Sequence, residues 1–302
     1  MNKYKTLGII GVTFVFLYSF GFVSGIFMER YIGEEKREEE KVPTIVQNAP
    51  PEIDRDRRYG MIPINPYITE NFVKEDLFMV YYDEDNKKIS HPGIDVSSYQ
   101  KNINWKEVKE AGVEFVFVRL GYRGYTEGKL VLDDMFHSHM KGAKKEGLHT
   151  GIYFFSQAIN EKEAVEEAEF VLKHMQGYEL SYPVVYDTEF ITDSKARTRQ
   201  EEITREDRSR MCIAFCETIK EAGYYPMIYC NENWIRRYLD YAMLEDYDFW
   251  VPQYNALMDF MYDFTIWQYS EGADIPGIEG LVDANISLID YASFLGSQTG
   301  VP

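Results

Sequence analysis

Short apolar runs alternate with amphipathic stretches from His91 towards the end of the chain, and the junctions between them follow one pattern. A charged, helix-like stretch ends at Gly112, Gly147 and Gly223, and a strand-like run follows each glycine closely. Glycine tolerates the left-handed backbone conformation with which many helices end. Repeated alternation of helices and strands predicts parallel strands joined by right-handed crossovers.

Eight apolar runs in this region are strand candidates, and eight strands close a barrel of the TIM type. Convincing helices separate only the earlier runs, because the connections after residue 239 leave little room for complete helices. We therefore predict an α/β fold, an irregular TIM-like barrel whose final quarter departs from the regular pattern. The candidate strands are residues 93–97, 115–122, 150–156, 182–189, 226–230, 249–254, 264–269 and 280–286.

Residues 6–28 carry no charged side chain. At about 1.5 Å per residue, a helix of this length crosses the hydrocarbon core of a bilayer. We predict that residues 1–30 form a short tip and an uncleaved transmembrane signal-anchor. A cleaved signal peptide, with its cleavage site at Val23-Ser24-Gly25, is the less favoured alternative because the apolar run is longer than usual. Basic residues stand on both sides and do not decide the orientation.

Two smaller regions are predicted between that segment and the barrel. Residues 31–70 combine a run of mixed charges with several prolines and no sustained hydrophobic period, which is typical of a stalk or linker. Residues 71–90 contain an apolar run, a turn-like segment at 83–86 and a second short run, which predicts a β-hairpin. The barrel then occupies residues 91–302.

The overall charge argues against a nucleic-acid partner. The chain has 50 acidic and 32 basic residues, for a formal charge of −18, whereas nucleic-acid binding requires a basic surface. The three cysteines, Cys212, Cys216 and Cys230, do not suggest a disulfide framework and are expected to be small buried side chains. The five histidines are too scattered to predict a metal site.

A buried-strand pattern over residues 182–190 ends in two carboxylates, Asp187 and Glu189. Side chains alternate along a strand, so both point to the same side, with about 6.5–7 Å between their Cα atoms. Burial and mutual repulsion would separate their pKa values, so that one group stays protonated while the other is ionised. An exposed strand end with two solvated acids is the alternative.

Two further acids lie where a barrel would bring them to the same mouth. Active sites of such barrels lie at the C-terminal ends of the strands. Asp95 lies in the first strand candidate and Asp283 in the eighth, and these strands are neighbours in a closed barrel. We therefore expect four carboxyl groups to converge at one end.

Four stretches, in their order and spacing, resemble the signature segments of glycoside hydrolase family 25 lysozymes. They are residues 93–100 (GIDVSSYQ), 187–189 (DTE), 267–269 (WQY) and 282–285 (VDAN). The resemblance covers about residues 91–295. It implies a barrel of eight strands and about five helices. It also implies an N-acetylmuramidase, without a cofactor, that cleaves the β-1,4 bond between N-acetylmuramic acid and N-acetylglucosamine in peptidoglycan.

Carried over residue by residue, the resemblance implies that Glu189 is the general acid, which requires a raised pKa. Asp187 would stay charged and stabilise the substrate's 2-acetamido group or an oxocarbenium-like transition state. Asp95 and Asp283 would position sugar and water, and their charge would keep Glu189 protonated. The resemblance leaves open whether the anomeric configuration is retained or inverted.

Side chains near the strand ends are candidates for contacts with the sugar. Apolar rings can stack on pyranose faces, although we expect about half of these rings to belong to the core. Arg119 would pair with one of the four acids in the mouth or form a structural ion pair. The candidate rings are Tyr99, Tyr153, Tyr229, Trp250, Tyr254, Trp267 and Tyr269.

Two rival functions stay open at this point. A chitinase-like barrel also ends its fourth strand in Asp-x-Glu, but its fuller pattern requires aspartates where this chain has Tyr182 and Val185. The second rival is a membrane-tethered glycan-binding protein whose barrel has lost turnover. We favour the enzyme because none of the four acids is missing.

The resemblance also implies a place in the cell. Peptidoglycan lies outside the bacterial cell membrane, so we expect a single-pass membrane protein with an extracellular catalytic domain and a cytoplasmic tip. The expected partners are peptidoglycan glycan strands and the membrane. The sequence indicates no protein partner.

Overall fold

The fold is described from a computed structural model over residues 58–59, 62–191, 199–200, 202–254 and 257–298. The predicted membrane segment at 6–28, most of the predicted stalk and part of the connection before residue 199 lie outside these ranges. Among the residues that are described, no helix combines the length and the apolar character needed to cross a bilayer.

The chain forms short strands and helices in alternation. The strands are β1 Arg58–Tyr59, β2 Ile62–Pro63, β3 Phe72–Glu75, β4 Phe78–Tyr81, β5 His91–Val96, β6 Phe115–Arg123, β7 Leu130–Leu132, β8 His149–Ser156, β9 Val184–Thr188, β10 Pro226–Tyr229, β11 Asp248–Pro252, β12 Ile266–Ala273 and β13 Val282–Ser287. The helices are α1 Trp105–Glu110, α2 Phe136–Lys145, α3 Glu161–His174, α4 Arg205–Glu221, α5 Glu232–Arg237, α6 Tyr241–Leu244 and α7 Tyr291–Gln298, with a 3₁₀ turn at Thr69–Asn71.

Eight strands close into a barrel, as the apolar pattern predicts. The order around the barrel is β5, β6, β8, β9, β10, β11, β12 and β13, and β13 pairs back onto β5. β7 adds a short antiparallel edge to β6. The described ranges contain seven α-helices rather than about five, because the short helices α5 and α6 occupy the connection before β11.

The barrel departs from a regular TIM barrel at its last strand. β13 runs antiparallel to both of its neighbours, β12 and β5. This departure falls in the final quarter, where the sequence predicts irregularity, although the alternating pattern itself predicts parallel strands. The connection over residues 274–281 is too short for the helical crossover that a parallel strand requires. The reversal brings the start of β13, rather than its end, to the mouth of the barrel.

Large aromatic rings fill the barrel interior. The ring of Phe115 stacks on Tyr182 with 4.3 Å between centroids, and Phe117 stacks on Trp250 at 4.7 Å. Gly93 on β5 and Gly151 on β8 leave space for these rings. A Cβ atom at Gly93 would lie 2.3 Å from the Phe115 ring, and one at Gly151 would lie 2.4 Å from the Phe117 ring. The described side chains therefore fill the centre of the barrel.

A second apolar layer lies between the barrel and its helices. Cys212, Cys216 and Cys230 are buried in this layer as free thiols, as expected from their spacing. The region before the barrel contains an antiparallel pair, β3 and β4, whose turn begins at Asp76, a residue with positive φ. The turn predicted at 83–86 is present, since Asp83 N donates to the Lys87 carbonyl at 2.9 Å and an antiparallel bridge joins Tyr82 and Lys88. The turn between β3 and β4 lies earlier in the chain and was not predicted.

Replacement of Gly93 or Gly151 by alanine should lower the free energy of unfolding by about 1–3 kcal/mol, because the added methyl group overlaps a ring that has no room to move. Urea unfolding followed by tryptophan fluorescence measures the effect. Gly296→Ala is the matched control, since Gly296 is exposed on α7 and a Cβ atom there meets nothing within 4 Å. Equal midpoints for all three variants would contradict this packing of the interior.

Candidate active site

A cleft of about 780 Å³ opens at the mouth of the barrel and contains all four predicted carboxyl groups. Asp95 lies near the end of β5, Asp187 near the end of β9, and Glu189 just beyond it. Asp283 lies near the start of β13 and is paired in register with Asp95. The predicted convergence is therefore found, and the antiparallel direction of β13 is what brings Asp283 to this end.

Asp95 and Asp283 form a hydrogen-bonded pair of carboxyl groups. Burial raises the pKa of Asp95 to about 6, although hydrogen bonds from Asn285 and Gln268 favour its ionised form. Burial, together with the charge of Asp95, raises the pKa of Asp283 to about 8. Around neutral pH, Asp283 therefore holds the proton and donates the hydrogen bond, while Asp95 is the ionised acceptor.

Glu189 and Asp187 form the second pair. Burial, followed by the nearby Asp283 carboxyl, raises the pKa of Glu189 to about 7, as its expected role as an acid requires. Burial and the charges of Glu189 and Asp95 raise the pKa of Asp187 well above its usual range, and Arg119 only partly opposes them. The expectation that Asp187 stays charged is therefore not supported in this structure, because desolvation outweighs the favourable charge of Arg119, the only one that the described part of the chain supplies.

Two amide side chains that the sequence analysis did not single out orient Asp95. Gln268 Nε2 and Asn285 Nδ2 each donate to Asp95 Oδ2 at 2.8 Å. Gln268 Oε1 accepts from the hydroxyls of Tyr229 at 2.9 Å and Tyr254 at 2.7 Å. Both amides occur in the stretches that resemble family 25 lysozymes. A polar side chain within an apolar strand pattern is the sequence signal that could have identified them.

Trp250 connects this network to the barrel interior. Its Nε1 donates to Asn285 Oδ1 at 2.8 Å, while its ring stacks on Phe117 below. The Trp250 ring is 1% exposed, and Tyr229 packs edge-on against it at 4.6 Å. These two rings therefore form the floor of the cleft. They hold polar groups in position and belong mainly to the hydrophobic core.

The other predicted rings divide between the cleft and the outer layer. Tyr99, Tyr153 and Tyr254 line the cleft, and Tyr99 is 83% exposed at its rim. Trp267 and Tyr269 do not line it. Trp267 faces away from the barrel interior, is fully buried in the apolar layer that surrounds the barrel, and packs edge-on against Phe72 at 5.2 Å.

Strand periodicity explains this division. Side chains alternate along β12, so Ile266 and Gln268 face the interior while Trp267 and Tyr269 face outward. The prediction that Trp267 and Tyr269 stack on sugar is wrong for this reason. Trp267 Nε1 instead donates to the Gln253 carbonyl at 2.7 Å.

Arg119 lines the cleft but pairs with an acid that the sequence analysis did not identify. Its Nε and Nη2 both approach Asp133 Oδ2 at 2.8 Å, and Nη2 also donates to Ser98 Oγ at 3.1 Å. The Asp133 side chain is fully buried, and no pattern marked this isolated acid in the connection after β7. Arg119 therefore forms a structural ion pair at the cleft wall, and its charge acts on Asp187 from there.

Further aromatic side chains complete the walls of the cleft, together with one more acid. The sequence analysis did not select them, because only their position in the folded chain distinguishes them from core rings. They are Tyr122, Tyr125, Phe155, Phe190 and Glu271. The site thus combines acids that hold protons near neutral pH with rings suited to a sugar polymer.

The chain is similar to proteins of one known family. The family model described as glycosyl hydrolases family 25 matches residues 94–278. The autolytic lysozyme of Clostridium acetobutylicum is 25% identical over 192 residues, which cover 63% of this chain and 54% of the relative. Uncharacterized protein YegX of Escherichia coli strain K12 is 26% identical over 198 residues, covering 64% of this chain and 68% of the relative.

A solved structure agrees at the level of the fold. The modular autolysin LytC from Streptococcus pneumoniae superposes with a TM-score of 0.58 and 24% identity, over 72% of this chain and 52% of that chain. This chain thus spans about half the length of LytC and of the autolytic lysozyme. Because the family match covers more than half of the 302 residues and includes Asp95, Asp187 and Glu189, the chain belongs to the glycosyl hydrolases of family 25 and is a glycoside hydrolase.

Proposed function

We propose that this chain is a muramidase that hydrolyses the β-1,4 bond between N-acetylmuramic acid and N-acetylglucosamine in peptidoglycan, with Glu189 as its general acid. The observation that carries the proposal is the raised pKa of Glu189, about 7, in a cleft that can receive a sugar chain. A carboxyl group that is protonated near neutral pH can deliver its proton to the leaving glycosidic oxygen. The family and the lysozyme among the relatives support the choice of substrate.

Asp187 would act on the sugar that develops positive charge. Its Oδ1 is buried and accepts no hydrogen bond from the described residues, so it is available to an N–H group of the substrate's 2-acetamido substituent. Binding of such a donor, and positive charge developing on the sugar, both favour the ionised form of Asp187. The raised pKa in this structure would then fall as the substrate binds.

Asp95 would serve as the fixed acceptor of the site. Gln268 and Asn285 donate hydrogen bonds to one of its oxygens, and protonated Asp283 donates a further hydrogen bond to Asp95. This arrangement supports a role in orienting sugar hydroxyls or water rather than in donating a proton. Asp283, whose pKa of about 8 lies above that of Glu189, would keep its proton while Glu189 gives its own away.

The two rival functions are less well supported. The positions where a chitinase-like pattern would require aspartate hold Tyr182 and Val185, and both side chains pack in the barrel interior. Tyr182 is stacked on Phe115 there, so neither position faces a substrate. A glycan-binding protein without turnover does not require the full set of four acids that this cleft contains.

We also propose that residues 6–28 anchor the chain in the cell membrane, with the catalytic domain outside. The uncharged length of this segment and the extracellular position of peptidoglycan support the proposal. External protease should remove the catalytic domain from intact cells. Digestion that occurs only after lysis would place the domain on the cytoplasmic side.

Glu189→Gln should lower muramidase activity by at least about 10²–10⁴-fold, because the amide keeps the size of the side chain but cannot donate the required proton. Release of reducing ends from purified peptidoglycan measures the loss, and sedimentation with the insoluble substrate should show that binding survives. Glu271→Gln is the matched control, since it removes another acid from the cleft wall and should change activity only a few-fold. Activity of folded Glu189→Gln close to wild type would reject the assignment.

The activity should be highest between the apparent pKa values of about 6 and about 7 that belong to Asp95 and Glu189. Activity falls above this range because Glu189 ionises, and below it because Asp95 becomes protonated. In Asp283→Leu the acid limb should move to higher pH, since the hydrogen bond from Asp283 lowers the pKa of Asp95. A pH profile of kcat/KM with the same acid limb in both proteins would contradict this coupling.

A further inference from the structure

Glu189 lies beyond the last paired residue of β9, so the barrel sheet does not hold it. Asp187 is in register with Phe155 on one side and Tyr229 on the other, and Thr188 is the last residue paired, with Ser156. The only direct support that the described residues give to the Glu189 backbone through a side chain is a hydrogen bond from Gln157 Nε2 to its carbonyl at 3.3 Å. The position of the carboxyl group therefore depends on what holds the next residue.

Phe190 is held by a group of rings and one guanidinium. Its ring lies 4.8 Å from the ring of Trp234 and 4.8 Å from that of Tyr238, with the latter edge-on. Arg208 of α4 lies over all three rings, at 5.3 Å from Phe190, 4.9 Å from Trp234 and 5.9 Å from Tyr238. Phe190 remains 38% exposed towards solvent, so the contacts with these neighbours are what fix it.

Arg208 also holds the other end of the connection between β9 and α4. Its Nη1 donates to Gln200 Oε1 at 3.0 Å, and its Nη2 donates to the Gln200 carbonyl at 2.9 Å. Arg208 and Gln200 are both buried. The Arg208 side chain thus contacts Phe190, which follows Glu189, and Gln200, which precedes α4. It also contacts Trp234 on α5. A lysine could not do this, because it has neither the planar face for the rings nor the forked donors for Gln200.

We propose that Arg208 is a positioning residue for Glu189. By holding Phe190 against Trp234 and Tyr238, it fixes the backbone that carries the acid at the cleft. Arg208 does not line the cleft and touches no reacting atom. This inference rests on the proposed role of Glu189 as the general acid.

Two measurable consequences distinguish positioning from a purely structural role. A displacement of the acid by about 1 Å can lower the rate on the order of 100-fold, with little effect on substrate binding. Burial is the main reason why the pKa of Glu189 is raised, so a carboxyl group that is held less firmly becomes better solvated and its pKa falls. A side chain that only stabilises the fold changes neither quantity in the folded protein.

The experiment compares Arg208→Met, Arg208→Lys and Arg210→Met in the full-length chain. Arg210 is the matched control because it lies on the same helix, is half exposed and pairs with Glu206. The readouts are kcat and KM on peptidoglycan and the pKa of the Glu189 carboxyl, followed by carbon-13 NMR and assigned with Glu189→Gln. Arg208→Met should lower kcat by about 10- to 100-fold at similar KM and lower the Glu189 pKa. Arg208→Lys should recover only part of both, and Arg210→Met should match wild type.

Unchanged kcat and unchanged Glu189 pKa in folded Arg208→Met, with only its stability reduced, would overturn the proposal. If Arg208→Met does not fold, Tyr238→Leu decides, since Tyr238 contacts both Phe190 and Arg208 but does not line the cleft. A lowered Glu189 pKa in Tyr238→Leu supports the proposal, and an unchanged one rejects it. Failure of the proposed function would look different, because wild type would then be inactive while the NMR comparison still reports whether Arg208 positions the carboxyl.

Discussion

Carboxyl groups that share one desolvated cleft cannot all be ionised, and the chemistry of this site depends on that constraint. Burial raises the pKa of each of the four acids, and Arg119 is already paired with Asp133. Protons therefore stay in the cleft near neutral pH. The hydrogen bonds determine which carboxyl group holds a proton. The two amide donors make Asp95 the acceptor, so its partner Asp283 keeps the proton. Among the described residues no such donor reaches the Glu189 carboxyl, which remains able to give its proton away.

The packing of the barrel interior is what places these groups accurately. The Phe117 ring fits over Gly151 and supports Trp250, and Trp250 in turn fixes the amide of Asn285, which donates to Asp95. Solid packing thus continues without interruption into the polar network at the mouth. A hollow or loosely packed interior would leave the orientation of the amide, and hence the location of the proton, undetermined.

The sequence predicts those features that depend on local pattern. Alternating apolar runs located the eight barrel strands, and the positions of Asp95, Asp187, Glu189 and Asp283 near strand ends were sufficient to predict that they meet. Features set by tertiary structure were missed. The direction of β13 follows from a short connection, and the outward orientation of Trp267 follows from strand register, which periodicity alone does not fix for a fully buried strand.

The sequence pattern also did not predict contacts between residues that are far apart along the chain. Asp133 is an isolated acid in the sequence and becomes important only because the fold places it under Arg119. Arg208 and Phe190 are separated along the chain and meet only when α4 packs beside the end of β9. Buried polar residues inside strands, such as Gln268 and Asn285, are the one class of missed residue that a search for polar side chains in apolar runs would have found.

We propose that the cleft delivers a proton to the glycosidic bond that follows N-acetylmuramic acid. The most direct test is to incubate the full-length protein with purified peptidoglycan, reduce the newly formed sugar ends with borohydride and identify them by mass spectrometry. We expect reduced N-acetylmuramic acid at the new ends. New ends made of reduced N-acetylglucosamine, or no new reducing ends at all, would contradict it.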